Sequence, residues 1–346
     1  MKRIIFLLAI FSLLLTACGG ANTPAQDAGE ANVPAQDSGK LTVIATTSIV
    51  ADVVANVGGD AVNVQILLPV GTDPHSFEPT PQDIAKVADA DIVFANGAGL
   101  EAFIDHLLES ADAEDKIVEV SDGIELREHP LAGAEHAEDE HEGEEHADEH
   151  EDEHAGEEHD DHADEDDHAH EMGDPHTWTD PNNVMVWVGN IEAALSEADA
   201  ANADTYAANA AAYTAELEEV DRWIREEIAQ IPAENRKIVT DHQLLGYYIE
   251  EYGLEMAGAI IPGYSSLSEP SAQELAAIED AIKNAGVQAI FVGNTVNSNL
   301  SERVSEDTGV ALVFFYTGSL SDADGDAPTY LDYLRYNTNA FVNALK

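Results

Sequence analysis

Short β-branched runs alternate with segments of helical spacing along most of this chain. Leu41 to Thr46 is an apolar run that reads as a buried strand. Ser48 to Val57 carries Ile49, Val53 and Val57 at helical spacing, and Gly58-Gly59 stops it. Val62 to Leu68 is a second strand, Pro81 to Ala90 a helix with proline in its first turn, and Asp91 to Ala95 a third strand. Glu101 to Ser110 is helical, and Lys116 to Val120 is a short strand. Helical spacing returns from Asn182 to about Glu197 and again from about Asn202 to Gln230, with Leu217, Val220, Ile224 and Ile228 as an apolar stripe. Beyond it, strands at Lys237–Thr240, Glu255–Ile261, Val287–Val292 and Ala311–Tyr316 alternate with helices at Leu244–Tyr252, Ser271–Asn284, Asn297–Thr308 and Thr329–Lys346. This rhythm predicts right-handed βαβ units. The expected fold is α/β: two lobes, each a mostly parallel sheet flanked by helices, joined by a single long helix. At 1.5 Å per residue the 202–230 helix spans roughly 40 Å, more than one lobe needs. The chain divides accordingly into a lobe at 40–200, a connecting helix at 201–230 and a second lobe at 231–346.

Two stretches stand outside this pattern. Lys2 and Arg3 precede an apolar run from Ile4 to Leu15, too short to span a bilayer and typical of an export signal. It ends at Leu15-Thr16-Ala17-Cys18, which resembles a bacterial lipobox, so residues 1–18 are expected to be a lipoprotein signal with acylation of the Cys18 thiol. Cys18 is the sole cysteine, so stability rests on packing and not on an intrachain disulfide. Residues 19–39 are small, polar and nearly duplicated, and read as a flexible tether. The second stretch is 129–171, where His129, His136, His141, His146, His150, His154, His159, His162, His168 and His170 punctuate a field of Asp and Glu. With almost no apolar side chain larger than alanine, it is expected to be disordered without a ligand.

Charge narrows the partners. The 346 residues carry a formal charge of −55, and no Lys or Arg lies between Arg127 and Arg222. Such a chain repels nucleic acid and attracts cations. The ten histidines then read as a weak, multivalent metal collector, in which protons compete as the pH falls towards about 6.

The sharper chemistry lies in two matching steps, Asp73-Pro74-His75-Ser76-Phe77-Glu78-Pro79 and Asp174-Pro175-His176-Thr177-Trp178-Thr179-Asp180-Pro181. Each Asp-Pro is a stiff corner that presents the histidine after it. His242, in Thr240-Asp241-His242, directly follows a strand. Three histidines on strand ends and stiff loops are the inventory of a transition-metal site, placed in the cleft between the lobes. His106, inside a helix and without a motif, is read as structural.

Those stretches carry a resemblance. With Gly246-Tyr247-Tyr248, Tyr252-Gly253-Leu254, Ser268-Glu269-Pro270-Ser271 and Pro328 to Asn337, the chain from Lys40 to Lys346 resembles the solute-binding lipoproteins that deliver zinc or manganese to ATP-binding-cassette importers. The resemblance implies two lobes bridged by a long helix, with metal bound between them. It carries His75, His176 and His242 over as ligands and implies zinc rather than manganese, because His242 stands where manganese-type members have a carboxylate. The acidic histidine-rich insert is a further mark of zinc-type members. Many relatives place an aspartate ligand in the loop after the last strand, where this chain has Gly318. The fourth donor is therefore open among water, Asp322 and Glu78, with water preferred. The implied protein is a monomeric, lipid-anchored, extracytoplasmic zinc receptor whose partner is a membrane permease, and it is not an enzyme. A zinc hydrolase would need a placed general base, and the one His-Glu-x-x-His spacing, His150 to His154, lies inside the acidic 129–171 run and not on a helical pattern. A surface adhesin or metal chaperone without a permease is the alternative from another class.

Overall fold

Parallel strands covered on both faces need apolar side chains on both faces, and the runs Val43–Ala45, Ile92–Ala95 and Ala289–Gly293 supply them. In a computed structural model, which describes residues 39–128 and 173–346, they become the centres of two sheets. Cys18, the tether up to residue 38 and the ten histidines from His129 to His170 lie outside the described residues. The first sheet is built from β1 (Leu41–Ala45), β2 (Val62–Ile66), β3 (Ile92–Ala95) and β4 (Ile117–Glu119), in the order β2-β1-β3-β4. Around it lie α1 (Ser48–Gly58), α2 (Pro81–Ala88), α3 (Ile104–Ala111) and α4 (Pro181–Ala198). After α5 (Ala203–Ile228), the second sheet uses β5 (Lys237–Thr240), β6 (Glu255–Ala259), β7 (Ala289–Gly293) and β8 (Ala311–Phe315), in the order β6-β5-β7-β8. Its helices are α6 (Gly246–Tyr252), α7 (Ala272–Ala285), α8 (Asn299–Thr308) and α9 (Tyr330–Leu345). All the strand pairs are parallel, and Lys40–Lys346 forms one compact unit.

The two sheets repeat one topology, and in each the strand order reverses beside the first strand of the lobe. Ligands collect at such switch points, outside the carboxyl ends of the strands. Alternation along β1 splits the core. Val43 and Ala45 face the helices shared by both lobes, whereas Ile44 packs with Leu67, Val87, Val93 and Leu107 under α2 and α3. Val239, Ile290 and Val292 repeat this arrangement under α7 and α8. α5 joins the halves because its buried residues, Tyr206, Ala210, Tyr213, Leu217, Val220, Ile224 and Ile228, recur at three or four positions and make one seam. That seam packs against α1 and α4 of the first lobe and α6 and α9 of the second. Burying each Leu or Ile of the seam stabilises the fold by about 1.5–3 kcal/mol.

Most element ends differ from the reading of the sequence by one or two residues, and two of the differences have a visible cause. α3 starts at Ile104 and not at Glu101, because the Glu101 side chain turns inward. Its carboxylate accepts hydrogen bonds from Thr46 Oγ1 (2.6 Å), Asn96 N (2.8 Å) and Gly97 N (3.1 Å). It holds a loop in which Gly97, Ala98 and Gly99 all have positive φ, and burial pushes its pKa up to about 6 against those hydrogen bonds. β6 ends at Ala259 and not at Ile261. Ile260 N and Ile261 N still donate to Thr240 O (3.0 Å) and Asp241 O (2.7 Å), so the chain follows β5 past the end of the strand.

Candidate metal centre

Each histidine of interest leaves a strand end or a stiff turn at the facing edges of the sheets. His75 lies in the loop between β2 and α2, where Asp73 Oδ1 accepts from its backbone N at 3.0 Å. The second Asp-Pro-His makes the same turn: Asp174 Oδ1 accepts from His176 N, also at 3.0 Å. This second turn is pinned at its far end, where Asp180 caps α4 by accepting from Asn182 N at 2.8 Å. His242 follows β5 directly, and Asp241 Oδ1 accepts from its backbone N at 2.7 Å.

The structure brings these three side chains together. Their ring centroids are 5.3 Å (His75–His176), 5.8 Å (His75–His242) and 5.3 Å (His176–His242) apart. One ring nitrogen from each lies within 4.8 Å of the others, the sole such group of three or more His, Cys, Asp or Glu among the described residues. His75 Nε2 and His176 Nε2 are 3.2 Å apart. Two nitrogens on a tetrahedral zinc, each at about 2.0–2.1 Å, would be about 3.3 Å apart. The spacing fits one ion.

The carboxylates behind the rings decide which nitrogen faces the centre. Asp174 Oδ1 lies 2.7 Å from His176 Nδ1, and Asp241 Oδ1 lies 2.6 Å from His242 Nδ1. A carboxylate at Nδ1 selects the Nδ1–H tautomer and leaves the Nε2 lone pair free to bind metal. Asp241 is itself fixed, because its Oδ2 accepts from Gly293 N at 2.5 Å. Burial, and then repulsion from His176 and His242, pushes His75 down to about 3. Burial, and then His242, holds His176 well below the ordinary imidazole range, against the opposing pull of Asp241. Both rings are therefore neutral at physiological pH, as a ligand needs to be.

The cavity they enclose is small, about 10 Å³, close to the room for one water-sized particle. Trp178, Leu244, Thr295, Thr317 and Gly318 help to wall it. The Trp178 ring sits 5.2 Å from His176, and its Nε1 donates to Thr317 O at 3.1 Å across the cleft. Tyr330 OH then donates to Trp178 O at 2.6 Å.

Other residues singled out by sequence are not brought in. Asp322 is exposed in the turn after β8 and lines no part of the cavity. Glu78 is likewise exposed and absent from the cavity. Gly318 does reach the wall, but a Cβ there would sit 2.8 Å from Pro74 Cδ and 3.1 Å from Pro74 Cγ. The space that an aspartate side chain would take is already filled by proline. His106 lies on the exposed face of α3, outside the cluster. The bracing roles of Asp174 and Asp241 escaped the sequence reading, although both stand inside the quoted motifs.

Comparison with known proteins places the family and the fold. Residues 43–344 match the family described as zinc-uptake complex component A, periplasmic (ZnuA). The manganese-binding lipoprotein MntA of Halalkalibacterium halodurans is 31% identical over 348 residues, covering 100% of this chain and 99% of its own. The manganese ABC transporter substrate-binding lipoprotein PsaA of Streptococcus mitis is 27% identical over 354 residues, with 100% and 99% covered. Among solved structures, the periplasmic zinc-binding protein TroA of Treponema pallidum shares the fold, with a TM-score of 0.72, 23% identity and 89% of this chain and 99% of that chain covered. The manganese-bound periplasmic metal-binding protein of Candidatus Liberibacter asiaticus has a TM-score of 0.69 at 26% identity, with 89% and 100% covered. With two four-stranded parallel sheets, a three-histidine cluster between them and a family match over nearly all of the described residues, the chain belongs to the ZnuA family of zinc-uptake component A proteins.

Proposed function

We propose that this protein is an extracytoplasmic receptor that binds one zinc ion between its lobes through His75, His176 and His242 and passes it to the permease of an ATP-binding-cassette importer. The observation that carries the reading is the convergence of three imidazoles, two of them braced by buried carboxylates, around room for one ion. The inner cavity of about 10 Å³ has room for an ion and not for an organic molecule, which supports a receptor over an enzyme. Relatives named as lipoproteins of such transporters support a permease partner and membrane attachment. Acylation of Cys18 is the anchor we propose. No described helix is long and apolar enough to cross a membrane.

Zinc as the cargo rests on the donor set. Three imidazole nitrogens with no carboxylate in the cluster suit zinc, whereas manganese favours oxygen donors. Manganese is the second reading, favoured by the printed names of MntA and PsaA. Any nitrogen-rich site binds zinc more tightly than manganese in a test tube, so affinity alone does not decide between them. The deciding experiment is growth of a deletion strain in medium depleted of one metal at a time, with the ion content of protein recovered from cells. A zinc receptor fails under zinc depletion and is recovered with one zinc per chain. Growth failure under manganese depletion alone would overturn the assignment.

A further inference from the structure

We infer that the ion enters and leaves the three-histidine centre on its His75 side, and that the hydrogen bond from Ser266 to Asp73 is the latch that holds that side shut. The inference rests on reading the three histidines as ligands. The first ground is an asymmetry of burial. His176, His242, Trp178, Leu244 and Thr317 are each at most 3% exposed and seal the other walls, whereas His75 is only partly buried. The second is an asymmetry of support. His176 and His242 have their Nδ1 atoms held by carboxylates, and no carboxylate bonds the His75 ring among the described residues. Apart from the neighbouring imidazoles, His75 is oriented through its backbone, by Asp73.

A second, much larger cavity of about 410 Å³ begins where the first ends, and Asp73 and Thr295 line both. Its polar walls, among them Ser76, Ser266, Glu269 and Asn297, are hydroxyl, amide and carboxylate groups with no Lys or Arg, set beside the apolar Ile261, Leu267, Val296 and Leu300. Six waters take up about 180 Å³ at about 30 Å³ each, so a hydrated divalent cation fits the outer cavity. The inner one holds the bare ion at most. The boundary between the two is where water is exchanged for imidazole, and it is the boundary the latch controls. Asp73 uses one carboxylate oxygen on His75 N and the other on the Ser266 hydroxyl, which lies in the segment joining β6 to α7 on the second lobe. Next to it Leu267 is 61% exposed, so anything that grips this segment pulls on the residue that orients His75.

The test is stopped-flow release of zinc from the full chain into excess chelator, with association followed under matched conditions. Breaking a hydrogen bond to a carboxylate by Ser266→Ala is expected to speed release about ten- to a hundredfold, with one zinc per chain still bound at saturation. Ser266→Thr keeps the hydroxyl and restores near wild-type release, which a merely damaged loop would not do. Asn297→Trp narrows the outer cavity without touching the centre, and slows association and release by the same factor at unchanged Kd. Wild-type release rates in Ser266→Ala overturn the latch, and wild-type rates in Asn297→Trp overturn the route. A wild-type protein that holds no zinc one-to-one would instead sink the receptor reading.

Discussion

Replacing Asp241 by asparagine exchanges one carboxylate oxygen for an amide and tests how the centre is prepared. Asp241 Oδ1 takes the His242 Nδ1–H at 2.6 Å, while Oδ2 takes Gly293 N at 2.5 Å. An asparagine has one acceptor and one donor for these two donors. If its NH₂ faces Gly293, two donors collide. If it faces His242, the imidazole must accept at Nδ1 and carry its proton on Nε2, the atom aimed at the ion. Either arrangement weakens binding, and loss of such a partner costs about 10- to 100-fold in metal affinity, or about 1.4–2.7 kcal/mol. The assay is competition for zinc against a chelator of known affinity near neutral pH, with the melting temperature of the metal-free protein as the control for folding. Asp241→Asn is expected to raise Kd by that factor while still binding one zinc. A folded variant whose Kd stays within about twofold of wild type would refute the tautomer argument, because the predicted loss begins at about tenfold.

Three further outcomes can be measured. Gly318→Ala drives a Cβ to within 2.8 Å of the rigid Pro74 ring; it should cost about 1–3 kcal/mol in denaturant unfolding, and no loss would mean that the ring retreats freely. Asp52, where α1 meets α5 and α9, is raised by burial to about 6 although Tyr330 N and Tyr213 OH donate to it. Its folded pKa is above its unfolded one, so the ionised form costs stability above about pH 6, and the cost fades as pH falls towards about 4. Asp52→Asn should therefore add up to about 3 kcal/mol at neutral pH and nothing near pH 4 in pH-dependent unfolding, whereas a gain independent of pH would contradict the assignment. Deleting residues 129–171 should lower the number of zinc ions bound near neutral pH and leave the single cleft ion. Imidazoles such as His75, held to about 3 by the surrounding protein, keep zinc at a pH where ordinary imidazoles lose it. Equal stoichiometry with and without the run, at neutral and mildly acid pH, would rule out a collector.

The alternation of strands and helices was legible because both sheets are parallel and doubly covered, so their central strands are continuous apolar runs flanked by amphipathic helices. The long helix declared itself through the stripe Leu217, Val220, Ile224 and Ile228. The three histidines were legible because an Asp-Pro corner or a strand end presents each one. Pairwise contacts across the cleft were not. Asp73 and Asp174 occupy the same place in twin motifs and make the same turn, yet Asp174 also braces its histidine ring while Asp73 reaches Ser266 on the other lobe. The Asp-Pro-His step is the same in both, and the partner brought by the fold differs. Glu101 shows the same limit at a helix start. Helical spacing includes it, but the strained loop Gly97-Ala98-Gly99 draws its carboxylate inward and delays α3. Asp322 was offered as a donor from its place in the chain, and the turn after β8 leaves it in solvent.

The central claim is that His75, His176 and His242 hold one ion through Nε2 between the lobes. A zinc-loaded crystal of the full chain, with anomalous difference maps measured on both sides of the zinc absorption edge, tests it most directly. The prediction is a single strong peak in the cleft, about 2.0–2.1 Å from each of the three Nε2 atoms, with Asp174 and Asp241 still on the Nδ1 side. A peak held by other side chains, or an empty cleft in protein that carries one zinc per chain, would contradict it.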